Sequence, residues 1–253
     1  MSLKAFLESV MPARASMSLL HCTNVERGVG IMQAGDLQPS ACPVYGEELL
    51  YLFYGRPAYR SNPSATAGRI EELWPVGLVF DPSVLHAAIR VVPFDSGGFA
   101  RYHDLLGPHL DRNAFELDTG ADLPGRIVAA FFETNGNYYF QRPAVAERDL
   151  PISRLEARGY ARLIADPSLR DDDDRCATIE VQFDREVRLA DALQAIVAPT
   201  VMLEDPAILD ALAACPNAVL LPYEVFGRSR PIELVYPLYA RVHDFHASTG
   251  SFA

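Results

Sequence analysis

The sequence predicts an α+β fold, with a mixed or largely antiparallel sheet and flanking helices. Three observations predict it. An apolar run ending at His21 passes straight into residues at helical spacing that Gly35 closes. Apolar and aromatic runs at 48–54 and 75–80 stop at Gly55 and at Asp81-Pro82, as strands do. Late in the chain, residues 177–183 alternate in the manner of a strand. With 253 residues, 49% of them hydrophobic, the chain can bury a full core, and we read 1–253 as one domain with an inserted helical region around 97–175.

In order along the chain, residues 4–10 read as a short leading helix and 18–21 as a buried strand. Thr23 and Glu26 have capping-box spacing, in which each side chain satisfies an orphan backbone N–H at a helix start. Val25, Val29 and Met32 then recur on one helical face, and Gly35 supplies the left-handed residue that ends it. Residues 91–99 hold Pro93, Asp95, Gly97 and Gly98 and read as a loop. Residues 126–134 and 155–165 read as helices, the second placing Leu155, Leu163 and Ile164 together. Four carboxylates at 171–174 repel one another and read as a solvated loop. Beyond the strand at 177–183, helices are expected at 190–196 and 207–214, and strands at 200–203, 219–221 and 232–239.

The net charge of −11 argues against broad, sequence-independent nucleic-acid binding, which draws its affinity from Lys and Arg on phosphates. Positive charge is locally grouped nonetheless, at Arg56, Arg60 and Arg69 and at Arg228 and Arg230. Cys22, Cys42, Cys176 and Cys215 are scattered without metal-ligand spacing, so they read as reduced thiols and no metal is expected. No apolar run nears the roughly 18 residues of a membrane span, and Lys4 and Glu8 interrupt the N-terminus. The expectation is a cytoplasmic protein with no membrane partner.

Three segments place polar groups at or near the ends of apolar strands, where clefts form. They are Leu19-Leu20-His21-Cys22-Thr23-Asn24, Leu52-Phe53-Tyr54-Gly55-Arg56-Pro57-Ala58-Tyr59-Arg60 and Ala177-Thr178-Ile179-Glu180-Val181-Gln182-Phe183. Glu180 is the sharpest signal, because a carboxylate in an apolar strand either faces solvent or has a purpose. Each of the others has a structural alternative. His21 can be a satisfied strand-end residue, Tyr54 and Tyr59 core or rim aromatics, and Arg56 and Arg60 partners of the abundant acids. Asp95-Ser96-Gly97-Gly98 is similar to the nucleophile segment of trypsin-like proteases, and His21-Cys22 to the base segment. Their spacing is too short for that fold, and the loop is expected instead to help close over a ligand.

A strand ending in His, a capped helix closed by Gly and Leu, an aromatic strand followed by Arg and Pro, and a late strand bearing Glu together resemble the ADP-ribosyltransferase superfamily. Within it the resemblance is to the DarT-like toxins that modify nucleic acid, and it covers residues 18–60 and 175–203. It implies a split mixed or antiparallel β core and NAD as substrate. It also implies catalytic roles for Glu180 and His21, with NAD bound by His21, Thr23, Asn24, Tyr54, Arg56 and Tyr59. On that model Glu180 stabilises oxocarbenium-like charge on the ribose or takes the nucleophile's proton. His21 bonds the ribose, Thr23 and Asn24 line the nicotinamide side, Arg56 grips pyrophosphate through its fork, and Tyr54 or Tyr59 offers a stacking face. DNA or RNA is the acceptor the resemblance suggests, the acidity keeps a protein acceptor or simple NAD hydrolysis open, and the role is a toxin or defence effector with an antitoxin or immunity partner. A non-catalytic nucleotide- or partner-binding module of the same fold is the alternative.

Overall fold

Leu19 and Leu20 point to opposite faces of one strand and both are fully buried, so this strand must lie in the middle of a covered sheet. The computed structural model, which describes residues 2–59, 70–118, 120–169, 174–227, 229–230 and 232–252, places it there. The chain runs α1 (Leu3–Leu7), β1 (Leu19–Asn24), α2 (Val25–Ala34), β2 (Asp36–Leu37), β3 (Ser40–Ala41), β4 (Glu48–Tyr54), β5 (Pro75–Phe80) and β6 (Arg90–Val92). It continues through α3 (Phe99–Leu106), α4 (Leu123–Phe131), α5 (Asn135–Tyr139), α6 (Leu155–Ala165), β7 (Glu180–Phe183) and β8 (Val187–Arg188). It closes with α7 (Leu189–Ala192), β9 (Leu193–Pro199), α8 (Thr200–Leu203), α9 (Pro206–Leu212), β10 (Val219–Tyr223) and α10 (Val235–Thr249).

The main sheet has the order β10-β9-β5-β1-β4-β7-β6, with β3 beside β4. Its ladders are antiparallel except β9 with β10, which is parallel, so the sheet is mixed. The two long neighbours of β1 treat it differently. β5 pairs with it over all six residues, Leu19 against Phe80 through Asn24 against Pro75. β4 pairs with it only at Leu19–Tyr54 and Leu20–Phe53, while its other edge runs along β7 from Leu50–Phe183 to Phe53–Glu180. The sheet therefore splits after Leu20.

Helices cover both faces. On one side Gly28 of α2 lies so near Val76 that a Cβ would meet its Cγ1 at 3.3 Å. On the other, a Cβ at Gly77 would meet Leu238 Cδ1 of α10 at 3.0 Å. The helices between β6 and β7 pack around buried aromatics, Phe94 against Phe115 at 5.4 Å and Phe131 against Tyr160 at 4.7 Å. Cys22, Cys42, Cys176 and Cys215 form no disulfide. Among the described residues no helix is long and apolar enough to cross a membrane.

Several local expectations need correction. The N-cap of α2 is Asn24, whose Oδ1 accepts from the Arg27 amide at 3.0 Å, so Thr23 stays in the strand and forms no capping box. Residues 190–196 are not a helix: α7 stops at Ala192 and the run becomes β9, because Ala195, Ile196, Val197 and Ala198 are buried on both sides of the sheet. Residues 200–203 form the short helix α8 rather than a strand. The strand expected at 232–239 is a turn at 232–234 and then the start of α10, which buries Leu238, Val242, Phe245 and His246 at helical spacing. Leu155 is exposed, leaving Leu163 and Ile164 to anchor α6. The loop expected at 91–99 begins as β6. Most of the acidic run at 171–174 lies outside the described residues, as do Arg60, Arg69 and Arg228.

The close crossing of α3 and α6 gives a direct test of this packing. A Cβ at Gly159 would lie 2.0 Å from the Leu106 carbonyl oxygen, whereas one at Gly30 meets nothing within 4 Å. Gly159→Ala should cost about 3 kcal/mol in urea unfolding, and Gly30→Ala should gain roughly 0.5–1 kcal/mol from helix propensity. Equal effects of the two substitutions would contradict the α3–α6 contact.

Candidate active site

β7 projects Glu180 and Gln182 from one face, and that face is closed over. Glu180 is only 2% exposed, so its lone pairs must be filled from within the protein. Ser96 supplies two donors, its amide to Oε2 at 3.1 Å and its hydroxyl to Oε1 at 2.7 Å. Gln182 Nε2 donates to Oε1 at 2.6 Å. Arg90 fixes the Gln182 amide by donating to its Oε1 at 2.5 Å. Burial, and next the charge of Asp95, raise the Glu180 pKa to about 7, against the three donors that favour its ionised form.

The loop carrying Ser96 is held at both ends. Asp95 forms a salt bridge with Arg175, and its amide donates to the Arg175 carbonyl at 3.2 Å. Gly97 N donates back to Asp95 Oδ1 at 2.8 Å, and Phe94 is rooted in the aromatic core. Tyr45, from the β3–β4 hairpin, is clamped between the guanidinium groups of Arg90 and Arg112 at 4.2 and 4.1 Å. Its phenol is kept neutral first by burial, with Glu116 and Glu180 adding to that and Gln182 and Ser96 opposing.

His21 occupies the split. Leu20 and Phe53 form the last pair of the β1–β4 ladder, and the next step would bring His21 opposite Leu52. Instead the His21 ring reaches across, Nδ1 lying 3.3 Å from the Tyr51 carbonyl oxygen. A carbonyl only accepts, so Nδ1 carries the proton, and burial lowers the pKa of the ring against the pull of that bond. The neutral tautomer leaves Nε2 as an acceptor. One strand, β4, separates β1 from β7; Leu20 pairs with Phe53 and Phe53 with Glu180, so these three share a face of the sheet and His21, next along β1, projects from the other.

The other expected site residues divide. Arg56 follows Gly55, a turn at φ +68°, and is buried, donating to Thr178 Oγ1 at 3.3 Å with its guanidinium 5.8 Å from the Tyr138 and Tyr239 rings. Thr178 stands two residues before Glu180, so the segment that accepts from Arg56 is the one that leads into β7. Thr23 is buried, and the Asn24 side-chain oxygen is spent on the α2 cap. Tyr54 is a core residue rather than a stacking face: its hydroxyl accepts from the Met17 amide at 2.9 Å and it packs on Tyr138. The Tyr59 hydroxyl donates to the Leu73 carbonyl at 3.2 Å. Glu180 itself is inside the sheet, so its solvent-facing alternative is excluded. Sequence reasoning missed Gln182 and the bonding of Ser96 to Glu180. The period-two spacing of Glu180 and Gln182 was the available sign of the first; nothing local signalled the second. Among the described residues no cluster of His, Cys, Asp and Glu can hold a metal ion.

No family model and no curated protein matches the chain. Among solved structures it is similar in backbone arrangement to Thermus sp. 2.9 DarT in complex with ADP-ribosylated ssDNA. That match has 10% identity and a TM-score of 0.43 over 85% of this chain and 98% of that one. The same protein in complex with carba-NAD+ gives 10% identity and a TM-score of 0.37 over 81% and 95%. In complex with NAD+ it gives 8% and 0.37 over 82% and 96%.

The raised Glu180 pKa carries a sign that can be measured. A carboxyl group whose folded-state pKa lies above its unfolded value stabilises most fully below the ordinary carboxylate range, and that stability is lost as pH rises through about 7. Glu180→Gln should remove the loss. The unfolding free energy of the variant relative to the native protein should therefore climb between pH 4 and pH 8, by up to about 3 kcal/mol. A difference that stays flat across this range would place the Glu180 pKa elsewhere.

Proposed function

We propose that the chain is an NAD-dependent ADP-ribosyltransferase. The observation that carries the reading is Glu180, a buried carboxylate that titrates at about 7, on a strand one removed from a split in the sheet that a neutral imidazole occupies. A group with that pKa is divided between base and acid at neutral pH, which suits proton transfer. Once ionised, it is a buried negative charge able to stabilise a cationic transition state.

The chemistry starts from that carboxylate. The bond between ribose C1′ and the nicotinamide nitrogen breaks, its electron pair leaving with nicotinamide, and positive charge builds on the ribose. Ionised Glu180 lowers the energy of that charge. The acceptor's nucleophile then bonds C1′ and its proton passes to the Glu180 carboxylate. His21 Nε2 accepts a hydrogen bond from a ribose hydroxyl, and buried Arg56 supplies positive charge toward the pyrophosphate. The acceptor is a macromolecule, with a nucleic-acid base the first candidate and a protein side chain the second. The biological setting that fits is a toxin or defence effector held in check by an antitoxin or immunity partner.

One observation favours a second reading. Both Glu180 oxygens already accept hydrogen bonds, as in a non-catalytic module that binds a nucleotide or a partner. Nicotinamide release separates the two. The native protein, incubated with NAD and in turn with single-stranded DNA, RNA or protein, should release nicotinamide and label one of them. Glu180→Gln should cut release by about 100-fold or more. The native rate should rise with pH through about 7 as Glu180 ionises. NAD binding by calorimetry with no nicotinamide released on long incubation would establish the binding module instead.

A further inference from the structure

Among the described residues, Ser96 is the one that donates to both oxygens of the Glu180 carboxylate, through its amide at 3.1 Å and its hydroxyl at 2.7 Å. We propose that Ser96, seated by the Asp95–Arg175 salt bridge, is the positioning residue that fixes the plane of the Glu180 carboxylate. The inference rests on the reading of Glu180 as the reacting carboxylate and adds the device that aims it.

The geometry supports it in three ways. A carboxylate held by one donor can still turn about its last side-chain bond, but donors on both oxygens from one residue fix the plane. The residue supplying them is itself immobilised. Asp95 is tied to Arg175 and accepts from Gly97 N, and Gly98 packs so tightly on Tyr102 that a Cβ there would meet the ring at 2.4 Å. Finally, Gln182 Nε2 bonds Glu180 Oε1 at 2.6 Å and reaches the Ser96 hydroxyl at 3.5 Å, closing the triangle. Such support from outside the reacting group is what holds a site in working geometry.

The charged and titratable groups facing Glu180 act in opposite senses. From the loop, Asp95 raises its pKa while the Ser96 donors lower it; from its own strand, Gln182 lowers it. Arg175 offsets Asp95, Arg90 acts through Gln182, and the phenols of Tyr45 and Tyr51 feel the Glu180 charge from the β3–β4 side. Removing the Ser96 hydroxyl and removing the Asp95 charge must therefore move Glu180 in opposite directions.

The test is the titration of Glu180 followed by carboxyl-carbon NMR, assigned by difference from Glu180→Gln, alongside the pH profile of nicotinamide release. Ser96→Ala should move the midpoint alkaline by about half a unit to one unit. It should also lower kcat about tenfold while KM for NAD changes little. Ser96→Thr, which keeps the hydroxyl, should restore both. Asp95→Asn should move the midpoint toward acid, and it keeps the inference testable if Ser96→Ala does not fold. An unmoved midpoint in Ser96→Ala, or shifts of the same sign in Ser96→Ala and Asp95→Asn, overturns the proposal whatever the turnover. If the native protein releases no nicotinamide while the midpoints move apart, the transferase reading fails and the hold of Ser96 on Glu180 stands.

Discussion

Taking a carboxylate out of water costs several kcal/mol unless its lone pairs are filled, and Glu180 lies wholly inside the sheet. Much of the local architecture follows from meeting that cost. Gln182 can reach Glu180 because it sits two residues on, and alternate side chains of a strand share a face. Arg90 must face Gln182 across the β6–β7 ladder to turn its amide nitrogen inward, and the register pairs the two. Ser96 must come from outside the sheet, since neither neighbouring strand offers a hydroxyl at that point. The residual desolvation then appears as a pKa near neutrality rather than as a broken fold.

The split in the sheet answers a second constraint. A strand pair that parts in mid-sheet exposes backbone donors and acceptors where water is scarce. β1 manages this on one edge by full pairing with β5 and on the other by lending a side chain, His21, to the Tyr51 carbonyl. The imidazole takes up a carbonyl that the parted ladder leaves unpaired, and its other nitrogen is an acceptor. The turn at Gly55 does similar work at the far end of β4. The positive φ there carries the chain away from the ladder, and the Gly55 carbonyl is capped by His246 Nε2 at 2.9 Å from α10. Arg56 follows immediately, so its burial is a consequence of how β4 ends.

The β4, β5 and α6 segments were legible as apolar runs or helical spacing bounded by Gly, Pro or Asp, β5 being buried on both faces. Local pattern failed where neighbours in the fold decide the element. Ala190 to Ile196 has the composition of a helix, and only its place beside β5 makes most of it a strand. The segment from Ile232 to Tyr239 is rich in β-formers, yet packing against β5 and β9 draws it into α10. At the site, Glu180 could be singled out because a charge among apolar neighbours is locally anomalous. The roles of Ser96 and Asp95 were not visible, because a hydroxyl 84 residues away in sequence becomes a partner only through topology. Tyr54 misled for the opposite reason: an aromatic at a strand end looks the same whether it faces a ligand or fills the core.

Electrostatics explains why one carboxylate can matter in a chain with net charge −11. Exposed charges are screened within about 8–10 Å, so the acidity of the surface reaches the site weakly. Nearby charges are matched: Asp95 by Arg175, and Glu47 and Glu116 by Arg90 and Arg112. Arg56 lies with its aromatic neighbours beyond Thr178. The donors to Glu180, Ser96 and Gln182, are neutral, so its ionisation changes the net charge of its buried surroundings by a full unit. A cation forming there would meet a field that one proton switches on or off, and that field acts through protein rather than through water.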